Sequence, residues 1–246
     1  MSEPTNVLQK NSDFVNELLK IQFPKITGLN TKEQITLSNL FRWFVLYRFV
    51  TKDGIPRPAG TLMEAILMLD LCSAAWFDYC TREEIRNQIH MVLTARYEGD
   101  FAAMVQILKT RLWYCACRGS TQALKNNAMG VLKARPSAIE KARERSKRLQ
   151  MPALCDLAFG KVKLDAVFRW FSVYRELSND YIPDPKGSLF EIVCMCELIE
   201  AAFYDLRFDA EKQDYLTMFH LPHEDKVSQW AKTLHCIALE ASGVKL

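Results

Sequence analysis

Two arginines, Arg42 and Arg48, recur later in the chain as Arg169 and Arg175, each among aromatic neighbours. An arginine held by aromatic residues needs an acceptor, because an unpaired buried charge is costly. Six residues of helix turn a net 240°, so Arg42 and Arg48 need separate partners. Asp70 and Asp78, with Glu197 and Asp205 in the second occurrence, are the candidate acceptors on the following helix. The expected chemistry of this set is structural ion pairing. A catalytic centre seldom needs each of its groups twice.

Other chemistry-bearing residues are sparser. Glu64 and Asp78 stand fourteen apart, and two occurrences would supply four carboxylates. A di-metal bundle also needs Glu-x-x-His pairs, which are missing, and Glu64 is already placed to cap a helix. The cluster His220-Leu221-Pro222-His223-Glu224, joined by His235 and Cys236, is the best candidate for a zinc or thiol site. The proline argues against a helical metal grip. No Gly-x-Gly-x-x-Gly, phosphate loop or Gly-x-Ser-x-Gly occurs. No catalytic residue, metal ligand or cofactor is assigned.

A third set is basic. Residues 128–150 carry seven basic and two acidic side chains, whereas residues 151–246 carry ten and fifteen. Lys141, Arg143, Arg145, Lys147 and Arg148 are the candidate partner-binding residues, for a protein surface or for phosphates. Contact with the acidic second half is the intrachain alternative. Over the whole chain 32 Lys+Arg balance 29 Asp+Glu, which by itself does not argue for nucleic acid.

The elements that must position these residues repeat. NLFRWFVLYR at 39–48 matches AVFRWFSVYR at 166–175, and IPRPAGTLMEAI at 55–66 matches IPDPKGSLFEIV at 182–193. Both pairs keep one constant spacing, which runs on in phase to Asp78 and Asp205. QILKT at 106–110 can be laid on QWAKT at 229–233 if four residues are lost. A period of about half the chain favours two pseudo-symmetric helical units over a solenoid. The expected plan is an N-terminal helix or arm over 1–27, repeat unit 1 over 28–120, connecting helices with the basic segment over 121–154, and repeat unit 2 over 155–246.

The fold class is all-α. Asn30 and Glu33 are spaced as a capping box for a helix over 31–49. Leu37, Leu40, Phe41, Phe44, Val45 and Arg48 share a face of that helix. Thr61-x-x-Glu64 and Ser188-x-x-Glu191 begin helices over 62–79 and 189–206. Thr81-x-x-Glu84 starts another, and one more covers 101–117. Residues 121–133 read as helical, Pro136 interrupts, and Ser137-x-x-Glu140 caps a helix over 138–150. No segment alternates with the period of a strand. Phe41, Trp43, Phe44 and Tyr47 cover two sides of their helix, one for the next helix and one for the other unit.

The 246 residues hold 49% hydrophobic and 25% charged side chains, the balance of a folded domain. The most apolar run, Leu62–Tyr79, is broken by Glu64, Asp70 and Asp78, so no membrane span is expected. The eight cysteines fall mostly in apolar helical runs, as reduced thiols of a cytoplasmic protein would, and no secretory leader is expected. These features point to a non-enzymatic binding or regulatory protein working through protein contacts. A nucleic-acid-binding protein using residues 133–148 is the alternative. An enzyme or metal protein built on the C-terminal His/Cys group is the third reading.

Overall fold

The computed structural model describes residues 14–90, 100–117, 136–152, 159–178, 180 and 182–244. Among these residues the fold is all-helical, with no strand. A helical segment over 14–20 leads into α1 (Thr31–Thr51), α2 (Leu62–Thr81), α3 (Glu83–His90) and α4 (Phe101–Cys117). Next come α5 (Pro136–Arg148), α6 (Lys161–Leu177), α7 (Leu189–Leu206) and α8 (Ala210–Thr217). A 3₁₀ turn, Glu224–Lys226, then feeds α9 (Val227–Ala241). None of the described helices is long and apolar enough to cross a membrane.

Local chemistry sets the helix starts. Asn30 Oδ1 accepts from Glu33 N at 2.9 Å while Glu33 Oε2 accepts from Asn30 N at 2.8 Å, the expected box. Thr61 with Glu64 and Ser188 with Glu191 form the same device. Helix α1 runs two residues beyond the expected 49 and stops where Lys52 turns left-handed, φ 62°.

Two expected starts differ. Thr81 is the last residue of α2, and its hydroxyl donates back to the Phe77 carbonyl at 2.9 Å. It caps nothing, and Glu84 pairs instead with Arg82. Pro136 is the first described residue of α5 and lies in the helix rather than interrupting the chain before it. Residues 121–133, Val92, Leu93, Lys133, Arg135 and Cys155 lie outside the described residues, as do the side chains of His90, Cys117, Ala138, Ile139 and Ala142.

One core runs through the molecule. Helices α2 and α7 pack on each other, α4 covers α2, and α9 lies along α7 in the most extensive helix contact. Helix α1 packs on α2, and α6 on α7 and α9. Phe41 of α1 meets Phe190 of α7 at 6.3 Å and Phe23 at 5.4 Å. Trp43 faces the other way, onto Trp76 and Tyr79 of α2 and Phe101 of α4. The aromatic set of α1 thus serves two sides, one toward the next helix and one toward the second half of the chain. Leu18, Phe23 and Ile26, from the expected N-terminal arm, are also buried.

Cys72, Cys194 and Cys196 are buried free thiols, but Cys80 and Cys236 are exposed, so only part of the cysteine set fills the core. They lie near helix surfaces that the apolar character of their sequence neighbourhoods does not reveal.

Trp170 is fully buried, whereas Lys147 is exposed and pairs with Glu144, one turn back. Trp170→Ala is expected to cost about 3–5 kcal/mol and Lys147→Ala less than about 0.5 kcal/mol in urea unfolding.

Candidate functional site

The polar groups concentrate where α2 and α7 meet. Glu64 and Glu191 are both fully buried. Each carboxylate collects four donors. Glu64 accepts from the amides of Ala59, Gly60 and Thr61 at 2.6–2.9 Å and from Ser188 Oγ at 2.5 Å. Glu191 accepts from the amides of Lys186, Gly187 and Ser188 and from Thr61 Oγ at 2.6 Å. Each cap hydroxyl accepts from its own helix, through Glu64 N or Glu191 N, and donates to the carboxylate of the other helix. Burial pushes the Glu191 carboxyl above its ordinary value, against the pull of Thr61 and the Gly187 and Ser188 amides, and the Glu64 charge adds to the rise.

The tight approach needs glycine. Gly60 and Gly187 have φ of 96° and 80°, which side chains rarely adopt. A Cβ on Gly60 would sit 2.7 Å from Pro24 Cβ, and one on Gly187 3.1 Å from Pro152 Cβ.

Flanking this centre are two crossed ion pairs. Arg48 of α1 reaches Glu197 of α7 at 2.6 Å and the Gly54 carbonyl. Arg175 of α6 reaches Asp70 of α2 at 2.8 Å. The expected acceptors are therefore used, but each is taken from the opposite half of the chain and not from the next helix. A second basic side chain completes each: His235 Nε2 stands 2.9 Å from Glu197, and Lys109 2.5 Å from Asp70 and 3.1 Å from Asp180. Burial works against ionised Glu197, but His235 and Arg48 outweigh it and hold the carboxyl below its ordinary value.

The remaining members of the expected network pair differently. Arg42 Nε donates to the Ile21 carbonyl at 2.6 Å, and Arg169 Nε to the Leu149 carbonyl at 3.0 Å. Asp78 takes the Tyr47 hydroxyl at 2.9 Å, with Arg82 at 3.9 Å, and Asp205 takes the Tyr174 hydroxyl at 3.3 Å. Burial and the Asp205 charge push the Tyr174 hydroxyl up to about 12. Backbone carbonyls compete well for a guanidinium, and sequence spacing carries no sign of them.

Of the basic helix, Arg143 bonds Glu140 and the Met218 carbonyl, Arg145 bonds Glu176, and Lys147 bonds Glu144. Lys141 and Arg148 are exposed. His223 rests against Trp230, and His235 is engaged with Glu197. Among the described residues no group of three or more His, Cys, Asp or Glu stands close enough to hold a metal ion.

The exchanged cap hydroxyls went unforeseen, because the boxes signal only their own helix. Also missed was the segment below α1. Ile21, Phe23 and Pro24 do what Leu149, Met151 and Pro152 do in the second half. Phe23 N bonds Ser38, and Met151 N bonds Asp165. IQFP against LQMP, read with a one-residue shift from the main repeat, is the signal that could have found it.

Thr61→Val and Ser188→Ala each strip a donor from a buried carboxylate. Each is expected to cost about 1–3 kcal/mol, and their double-mutant cycle to give coupling above about 0.5 kcal/mol. Glu197 supplies a pH test. A carboxyl lowered by folding contributes stability that is full above its unfolded value and lost as pH falls through its folded value. Glu197→Gln should therefore be less stable than wild type at pH 7, with the gap closing as pH falls through the lowered folded value of Glu197. Glu191, raised by folding, contributes with the opposite sign, adding stability as pH falls through its folded value. Urea midpoints across pH measure both.

Comparison of the chain with family models, curated proteins and solved structures finds no match.

Proposed function

We propose that the chain is two matching helical units packed together, and that it works as a non-enzymatic binding or regulatory protein through protein–protein contacts. Contacts that recur at a fixed spacing support the first part. The Tyr47–Asp78 and Tyr174–Asp205 bonds are related by the repeat spacing, as are α3 and α8 along their full length. Buried positions 101, 105, 108 and 112 of α4 recur as 227, 231, 234 and 238 of α9, one short of that spacing. On that register Lys109 matches His235, each the second basic side chain on its carboxylate. The QILKT/QWAKT alignment, which needs four residues lost, does not carry this burial pattern. In this reading the helix over 14–20 matches the end of α5, so the basic helix opens the second unit and does not merely connect the two.

The observation that carries the functional part is an exposed aromatic pair. Tyr204 and Phe208, at the end of α7, are 61% and 76% exposed, with ring centroids 5.3 Å apart. Phe77, the repeat counterpart of Tyr204, is 69% exposed. Single exposed apolar residues are ordinary, whereas adjoining aromatic rings suit a partner contact. The chemistry-bearing carboxylates and arginines, in contrast, are spent on holding the core. A cytoplasmic setting fits the free buried thiols. Lys141 and Arg148, exposed on α5, are the described part of the basic set best placed to add charge to such a contact.

The test is affinity purification from the native cell with wild type and with Tyr204→Ser/Phe208→Ser. Loss of about 2 kcal/mol, roughly 30-fold in affinity, is expected for the partner recovered with wild type. A gel-retardation assay with single- and double-stranded nucleic acid runs in parallel. Retardation abolished by Lys141→Glu/Lys147→Glu/Arg148→Glu, with no loss in the aromatic variant, would overturn the protein-contact reading in favour of nucleic acid.

A further inference from the structure

The two tryptophan clusters are closed differently. In the first half, Trp43 and Trp76 are covered by two further rings. Tyr79 lies 4.8 Å from Trp76, and Phe101 lies 4.5 Å from Trp76 and 4.4 Å from Trp43. In the second half, Trp170 and Phe203 stack 4.3 Å apart and 5° from parallel, where Trp43 and Trp76 are tilted by 56°. The positions that match Tyr79 and Phe101 are Leu206 and Val227, which carry no ring. Beside the pair lies a half-open cavity of about 280 Å³, whose walls include Trp170, Phe203, Leu206, Leu216, Glu224 and Ser228.

One lining group is open to an occupant. Glu224 is partly buried at the start of the 3₁₀ turn, and no described group hydrogen-bonds its carboxylate. Burial pushes that carboxyl up, only partly countered by His220. A donor placed in the cavity would match Glu224, whereas an apolar group would not.

We propose that this cavity receives a tyrosine side chain of a protein partner. Its ring takes the space beside Leu206, the position that Tyr79 fills in the other half. A phenol hydroxyl can donate to the Glu224 carboxylate. Phenylalanine would fill the space and leave that carboxylate unmatched. The cavity is bounded by α7 and the turn after it, the same helix end that presents Tyr204 and Phe208, so the inference deepens the protein-contact reading and rests on the matching of the two halves.

The experiment titrates the full ¹⁵N-labelled chain with N-acetyl-L-tyrosinamide and follows the indole N–H resonances by NMR, Trp170 being assigned with Trp170→Phe. Saturable shifts of the Trp170 resonance with a Kd in the range of about 1–10 mM are expected for so small a ligand. N-acetyl-L-phenylalaninamide should bind about fivefold to tenfold more weakly. Leu206→Tyr gives the second half one of the closing rings of the first. It should weaken tyrosinamide binding about tenfold or more with cooperative unfolding retained. Should the variant fail to fold, the comparison of the two amides on wild type decides. Absence of saturable binding, equal binding of both amides, or wild-type binding by a folded Leu206→Tyr overturns the tyrosine slot and leaves the surface reading of Tyr204 and Phe208 intact. Tyrosinamide binding with the expected order supports the slot even where the Tyr204→Ser/Phe208→Ser variant keeps its partner.

Discussion

Two carboxylates share the centre of the molecule, and neither can be buried there alone. Taking a carboxylate out of water costs several kcal/mol unless hydrogen bonds replace the water completely. Glu64 and Glu191 reach that condition only together, because the fourth donor of each is the cap hydroxyl of the other helix. The positive N-terminal ends of α2 and α7 are thereby brought face to face, an approach that would be repulsive without two negative groups between them. The exchange fixes how the two helices cross. It also explains the glycine before each cap, since Pro24 and Pro152 close over the backbone at Gly60 and Gly187.

The crossed ion pairs extend the same logic outward. Arg48 and Arg175 are 6% and 5% exposed, so neither can rely on water. Each takes its carboxylate from the far half of the chain, which makes the two arginine helices depend on each other's neighbours. Burial would lower the Arg48 guanidinium, but Glu197 more than compensates and raises it. Lys109 and His235 then hold the two acids from their outer sides.

The periodicities and capping boxes were legible because they are local. Asn30, Thr61 and Ser188 cap as spaced, and Leu37, Leu40, Phe41 and Phe44 are buried as one face. Thr81 has the same spacing to Glu84 but lies within a helix already running, so its hydroxyl turns back to the preceding turn. A capping pattern does not say whether the backbone has left the previous helix. Partner choice was legible only as residue type. Arg48 needed an acid, and both Asp70 and Glu197 were candidates, but selection between them depends on how α2 and α7 cross. The basic helix was legible as charge and not as occupancy. Arg145 meets Glu176, and Arg143 meets the Met218 carbonyl, both far off in sequence.

On the proposed reading of two matching units, their differences matter as much as their agreement. The central carboxylates and the crossed arginines are kept in both, because each is one side of a reciprocal arrangement and could not change alone. The outer aromatic clusters bear on only one unit each and were free to diverge. The first unit closes its indoles with Tyr79 and Phe101, which bury well and stabilise. The second has Leu206 and Val227 there, giving up the stacking of two rings, each worth about 0.5–1.5 kcal/mol beyond its buried area. A fold held at its centre by charge-assisted bonds tolerates that loss at its edge. The loss leaves an open ring-sized space in the unit that also carries the exposed Tyr204 and Phe208. Stability and recognition are thus separated along the molecule: the shared interior resists change, and the second unit's outer end has the freedom to meet something else.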